Sequence, residues 1–120
     1  FRDYETCVFV ADGWFEWQQN SRGEKHPIFI HADNEIFYFA GIKNASGAAI
    51  VTINAHPILT NIHHRQPMFL DRLETSFWLK DKQKVSSSSL LERIKSHPVS
   101  KYVNSPINND QRCILETDLE

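Results

Sequence analysis

Short apolar runs separated by turn-forming residues dominate the first half of this 120-residue sequence. Several of the runs alternate in the two-residue period of an extended strand, and many of their side chains are aromatic. The interruptions are short and contain Gly, Asn or Asp, residues that favour turns. We therefore predict an antiparallel meander of five strands that curls into a barrel or sandwich. The predicted strands cover residues 7–10, 14–19, 27–32, 36–42 and 49–53.

The second half of the chain changes character, and there we predict short helices between shorter strands. Asn54 is a suitable N-cap for a helix over residues 56–63, and apolar spacing predicts a second helix over 73–80. A third helix, capped by Ser89, is expected to run through Leu90, Leu91 and Ile94 and to end before Pro98. Short strands are predicted at 68–70, up to Val103, and at 113–115. The predicted fold is α+β and mainly β, one domain over residues 1–120 with short peripheral helices.

Composition limits the class of protein without naming a partner. A formal net charge of -2 excludes a generally polycationic nucleic-acid protein but allows a local basic groove. Cys7 and Cys113 are too far apart for a paired-cysteine metal site, so we expect both to be reduced. No segment reaches the length of a transmembrane helix, and no signal peptide opens the sequence, which favours a cytoplasmic protein. Because the sequence begins at Phe1, we interpret it as a piece of a longer protein.

Glu16 is an ionisable residue within a strongly aromatic run, Trp14-Phe15-Glu16-Trp17. In an extended segment, Trp14 and Glu16 share one face, while Phe15 and Trp17 share the other. A carboxylate beside indoles loses hydration, which raises its pKa and suits it to proton transfer. Glu16 is therefore the first functional candidate. The alternative is that Glu16 points to water from an edge strand.

His63 is the second candidate, because it lies near the C-terminal end of a predicted helix, where the helix dipole favours protonated imidazole. Arg65 follows two residues later, and a histidine beside an arginine is common where phosphates are bound. The alternative is a hydrogen-bonded core histidine with a surface arginine. Spacing alone leaves both interpretations open.

Metal and nucleophile motifs are absent from the sequence. The chain has six histidines, but no HExxH motif and no helical pair of histidines with a neighbouring carboxylate. No GxSxG motif occurs, and the serine run at 86–89 is typical of a loop. Cys7 begins an apolar strand, where a thiol is usually packed and inert. We therefore predict no metal and no cofactor.

Five short motifs follow one another along most of the chain, up to Val103. They are CVFVADGWFEW at 7–17, PIFI at 27–30, VT at 51–52, IHHRQPMFL at 62–70 and HPVS at 97–100. Each motif is only modestly specific alone, whereas their order and spacing together are specific, and together they resemble the SOS response-associated peptidase (SRAP) family.

The resemblance implies a barrel-like, mainly β fold that binds single-stranded DNA and links covalently to abasic sites through a thiazolidine. The family's nucleophile is an N-terminal cysteine, exposed when self-processing removes the initiator Met. Glu16 and His63 occupy the positions of the family's catalytic glutamate and histidine. The positions implied to contact DNA are Trp17, Arg65 and Thr52.

The sequence departs from the family pattern in two ways. The Met-Cys start and an Asn-Ala-Arg segment that completes the site are not among these 120 residues, and Cys7 aligns with an internal position. These residues alone are therefore expected not to crosslink DNA. His64 stands where the family has an acidic or amide residue, and Gln66 stands where it has Met. We expect Gln66 to alter packing more than mechanism, and His64 to add a titratable group near the phosphates.

Two other classes of function remain open. A non-catalytic module could bind single-stranded nucleic acid in the same groove, with a steep salt dependence. A small barrel with an aromatic core could instead bind another protein. The order of the motifs favours the SRAP-type function, with single-stranded DNA that carries abasic sites as the partner and no membrane contact. We expect a monomer in the cytoplasm, associated with the nucleoid of a bacterium.

Overall fold

A computed structural model describes residues 3–85 and 88–118, which form nine β-strands, one α-helix and three short 3₁₀-helices. The strands are β1 (Glu5–Ala11), β2 (Trp14–Gln19), β3 (Lys25–His31), β4 (Phe37–Asn44), β5 (Gly47–Ile50), β6 (Thr52–Asn54), β7 (Arg65–Pro67), β8 (Phe69–Leu70) and β9 (Lys95–Pro98). The helix α1 spans Thr75–Asp81, and the 3₁₀-helices span Ser89–Arg93, Lys101–Asn104 and Gln111–Ile114. The mainly β character is confirmed.

All strand pairs are antiparallel, and β2–β3 and β4–β5 pair as consecutive strands of the predicted meander, but β1–β2 and β3–β4 do not. β1 pairs with β4 rather than β2, in a sheet that continues to β5 and also takes β8. A second sheet has the order β2-β3-β9, and β6 pairs with β7. Within the described residues the strands form a curled arrangement of separate sheets rather than one closed barrel. This order lets the first two sheets bury their aromatic faces against each other. The free energy gained by that burial exceeds the advantage that a β1–β2 pair would have from its short connection.

The Trp14 ring joins the two sheets at the start of β2. It packs edge-on against Phe37 and Phe39 of β4, with ring centroids 6.1 and 5.8 Å away. Gly13 precedes it at a close approach, because a Cβ there would overlap the Phe29 ring and lie 2.7 Å from the Ile30 carbonyl oxygen. The core therefore fixes β2 from its first residue and holds Glu16, two residues later, at the border of the core.

The elements of the second half agree only in part with the prediction. α1 confirms the amphipathic helix, but residues 56–63 form hydrogen-bonded turns instead of a helix. The reason is that Asn54 pairs with Arg65 across β6 and β7. The two ends of the intervening segment therefore lie side by side, which favours a series of turns over a straight helix. The third helix is a 3₁₀-helix, and Ser88 rather than Ser89 is its N-cap.

Two strands predicted near the C-terminal end are also wrong. The segment up to Val103 is strand only as far as Pro98 and then becomes a 3₁₀-helix capped by the Ser100 side chain. Residues 113–115 follow a second cap, at Asp110, and lie in or directly after the 3₁₀-helix Gln111–Ile114. In both places a side-chain cap determines the local structure against the β propensity of the following apolar residues.

Candidate functional site

Glu16 and His63 face each other across the boundary between β2 and the turn before β7. His63 Nε2 lies 3.9 Å from Glu16 Oε2, and the two side chains are 38% and 22% exposed. This distance is longer than a hydrogen bond, so a small side-chain movement or a bridging group is needed for proton exchange between them, and both groups remain accessible from outside. The structure therefore brings together the two residues that the sequence singled out for acid–base chemistry.

Burial controls the ionisation of Glu16. Loss of hydration raises the pKa of this carboxyl above its usual value, and the neighbouring imidazole of His63 opposes that rise. The indole N–H of Trp14 also opposes the rise in pKa. This N–H is buried, and it makes no hydrogen bond of ordinary length to any described residue. The net effect favours the protonated acid, so Glu16 holds a proton more readily than a surface glutamate.

The backbone of Arg65 holds the other ring nitrogen of His63. In the neutral tautomer that carries its proton on Nε2, facing Glu16, His63 Nδ1 accepts from the Arg65 amide at 3.1 Å. The Arg65 carbonyl oxygen lies 3.2 Å from the same nitrogen and accepts when the ring is doubly protonated. His63 thus has a backbone partner in either protonation state, as a group that accepts and returns a proton requires.

Two glutamine side chains tether the turn that carries His63. Gln18 of β2 donates from Nε2 to the Asn61 carbonyl oxygen at 2.8 Å. Gln66 of β7 is buried, and its Oε1 accepts from the His56 amide at 2.8 Å. The same strand that carries Glu16 therefore also holds the turn that carries His63.

Arg65 lies in a polar cluster on the β6–β7 hairpin. Its Nη1 donates to Asn54 Oδ1 at 2.8 Å, and its Nη2 donates to the Thr52 carbonyl and hydroxyl oxygens at 2.9 and 3.2 Å. These three bonds fix the guanidinium and leave two of its five N–H donors without a partner among the described residues. A guanidinium fixed in this way is suited to binding an oxyanion.

A cleft of about 450 Å³ opens beside the pair, and its lining includes Lys25 and His64 as well as Glu16 and His63. Trp17 borders this cleft, but its ring lies with Phe15 on the opposite face of β2, where the indole N–H donates to Asn104 Oδ1 at 2.8 Å. The cleft thus combines one carboxyl group with several basic side chains.

Sequence reasoning missed the supporting residues of the site. Asn54 was expected to cap a helix but instead holds Arg65, and Gln18 and Lys25 were not singled out. Gln66 agrees with its expected packing role, since it is buried. The one signal available was the alternation of β2, which places Gln18 on the face of Glu16; the contacts of the others depend on long-range pairing.

The rest of the described surface has few other features that suggest a ligand, metal or membrane site. A second cleft, of about 500 Å³, lies around Arg22, His26 and Lys101. Within residues 3–85 and 88–118, no three metal-ligating side chains converge. In the same part of the chain, no helix has both the length and the apolar character needed to cross a bilayer.

The sequence of the chain matches a known protein family. The family model "SOS response associated peptidase (SRAP)" matches residues 1–106. The chain is 30% identical over 150 residues to abasic site processing protein HMCES of Gallus gallus, across 96% of this chain and 44% of that protein. It is 31% identical over 125 residues to abasic site processing protein YedK of Escherichia coli, across 90% of this chain and 56% of that protein.

The fold has a counterpart among solved structures. A crystal structure of a protein from Bacteroides thetaiotaomicron superposes with a TM-score of 0.78 at 21% identity, over 94% of this chain and 57% of that one. The chain therefore spans about half the length of the relatives that it matches.

Proposed function

Because this chain belongs to the SRAP family, we propose that it processes abasic sites in single-stranded DNA, with Glu16 and His63 as the acid–base pair. The observation that carries the proposal is the 3.9 Å approach of His63 Nε2 to a carboxyl group whose pKa is raised by burial. Proton donors and acceptors with such environments are concentrated at catalytic sites. The names of the relatives supply the substrate class, abasic sites.

The first chemical requirement is to open the deoxyribose ring. An abasic sugar is mostly a closed hemiacetal, so its aldehyde appears only when the C1′ hydroxyl loses a proton and the ring oxygen gains one. A group that holds a proton and a group that accepts one, side by side, perform these transfers together. Glu16 supplies the proton for the ring oxygen, and His63 accepts the hydroxyl proton at Nε2 in the tautomer whose Nδ1–H donates to the Arg65 carbonyl oxygen; His63 then returns that proton to the Glu16 carboxylate.

The covalent step requires a nucleophile from outside these residues. In the proposed reaction the α-amine of an N-terminal cysteine adds to C1′, and the carbinolamine loses water to give an imine. The cysteine thiol then adds to the same carbon, its proton passes to the nitrogen, and a thiazolidine is formed. Glu16 and His63 would protonate the departing hydroxyl and accept the proton of the attacking group. Self-processing, which exposes that cysteine, is part of the same proposal.

The DNA strand would follow the basic side of the cleft. Arg65, fixed by Asn54 and Thr52, offers its remaining N–H donors to a phosphate. Thr52 acts here mainly by orienting Arg65, while Trp17 would contact the strand at the rim of the cleft. An abasic nucleotide has no base to unstack, which lowers the cost of turning its sugar toward Glu16.

Denaturing electrophoresis tests the proposal with protein that carries the family's Met-Cys section upstream of these residues. We expect a covalent band with single-stranded DNA that has one abasic site, and none with an intact strand. Glu16→Gln and His63→Ala should each slow its formation about 100-fold or more, as loss of an acid–base group does, whereas exposed Gln83→Met should not. A crosslink that forms at the wild-type rate in both site variants would refute the proposed roles.

A further inference from the structure

His64 presents an aromatic ring at the mouth of the cleft. It is exposed, and its ring stacks on that of His63 with centroids 4.5 Å apart and planes 21° from parallel. Among the described residues no second aromatic ring lies against His64. One face of this exposed imidazole is therefore covered by His63, and no described aromatic ring lies on the opposite face.

We propose that the outer face of His64 is the stacking platform for the nucleobase next to the abasic site. The inference rests on the proposed function and assigns one flanking base to one residue. A base on His64 would be the third ring of a stack that begins at His63, so it would lie one ring away from the group that faces Glu16. Aromatic side chains, histidine included, commonly hold unstacked bases in this way.

The described surroundings favour His64 over Trp17 for this role. The Trp17 side chain is directed to the other face of β2 and its indole N–H is engaged by Asn104. The His64 ring also borders the cleft of about 450 Å³, and it is stacked on the ring of His63, which faces Glu16. Because an abasic strand lacks one base, its neighbours lose a stacking partner, and a protein ring can replace that partner.

Charge alone is the competing role for His64, and the cleft already contains other basic side chains. Lys25 and His63 line it, and Arg65 lies two residues from His63. A stacking platform requires a ring at position 64, whereas a contact with phosphate requires a positive charge there. A phenyl ring keeps the platform without any charge, a lysine keeps the charge without a ring, and an asparagine keeps neither.

The experiment measures equilibrium binding and base stacking with full-length protein. The DNA is single-stranded and carries a tetrahydrofuran abasic analogue, which cannot form the covalent link, with 2-aminopurine on its 5′ or 3′ side. Anisotropy reports the Kd, and 2-aminopurine quenching reports stacking. The proteins are the wild type, His64→Phe, His64→Lys and His64→Asn, and exposed Gln83→Met is the control.

Stacking predicts that the wild type and His64→Phe quench one of the two probes and bind with equal Kd. It predicts that His64→Lys and His64→Asn lose the quenching and bind about five-fold to ten-fold more weakly, the low end for one base–aromatic contact. Binding that His64→Lys retains and His64→Phe loses would overturn the platform in favour of charge. Equal quenching in all variants would also overturn it, while leaving the proposed function intact. Failure of every protein to bind the analogue would instead count against the proposed function itself.

Discussion

Replacement of Gln66 by Met should loosen the turn that carries His63 without emptying the core. Gln66 is 4% exposed, its Oε1 accepts from the His56 amide at 2.8 Å, and its Nε2 has only a 3.4 Å contact with the Pro67 carbonyl oxygen. Met fills a similar volume, so the variant tests the hydrogen bond rather than a cavity. The His56 amide then loses the only acceptor that it has among the described residues.

The expected loss of stability depends on what the substitution does to the donor and to the acceptor side chain of this hydrogen bond. A buried donor left unpaired costs about 1–3 kcal/mol, and His56 is half-buried, so we expect the lower end. The substitution recovers part of this cost, because the weakly bonded amide nitrogen of Gln66 is no longer buried. We therefore expect the free energy of unfolding to fall by about 1 kcal/mol, which lowers Tm by roughly 4 °C in a domain of this size.

Thermal unfolding and amide hydrogen exchange together check this prediction. The exchange rate should rise at His56 and along the turn to His63, while the amides of β3 change only as much as global stability requires. Exposed Gln83→Met is the matched control and should shift Tm by no more than about 1–2 °C. An unchanged Tm with unchanged exchange at His56 would refute the tether.

Four further substitutions have expected outcomes. Because burial raises the pKa of Glu16 in the folded state, its ionisation opposes folding, so stability falls as pH rises through the window between the unfolded and folded pKa values. Glu16→Gln should therefore have a higher Tm than the wild type at pH 7.5 and no such advantage at pH 3.5; an equal difference at both pH values would contradict this. Arg65→Ala should reduce the slope of log K against log salt for DNA binding by about 1, and Asn54→Ala should weaken binding with a smaller change in that slope. Trp78→Phe removes an N–H that donates to the Cys7 and Gly41 carbonyl oxygens at 3.1 and 3.0 Å, so chemical denaturation should show a loss of about 2–4 kcal/mol.

The sequence was most informative where a residue pattern is local. The two-residue alternation of β2 predicted which face Glu16 takes, and the apolar spacing around Trp78 predicted α1. Local pattern could not reveal that β1 pairs with β4, because that choice depends on which aromatic faces bury each other across the whole chain. Asn54 shows the same limit, since a good helix cap is equally able to end a strand and bind a side chain.

The approach of His63 to Glu16 was accessible from sequence only through family resemblance. Spacing alone left His63 at the end of a helix that does not form, and nothing local to it predicts the tethers from Gln18 and Gln66. The turn conformation of residues 56–63 is imposed by the pairing of β6 with β7 on either side. Long-range pairing therefore decides the geometry of the site, while the local sequence decides its chemistry.

The central claim is that the sugar of an abasic nucleotide binds in the cleft beside Glu16 and His63, and NMR chemical-shift mapping tests it most directly. The titrant is a short single strand that contains the tetrahydrofuran analogue, compared with an intact strand of the same length. We predict that the side-chain signals of Glu16 and His63 shift with the abasic strand well beyond their response to the intact strand. Equal shifts with both strands, or shifts confined to the cleft around Arg22 and Lys101, would contradict the account.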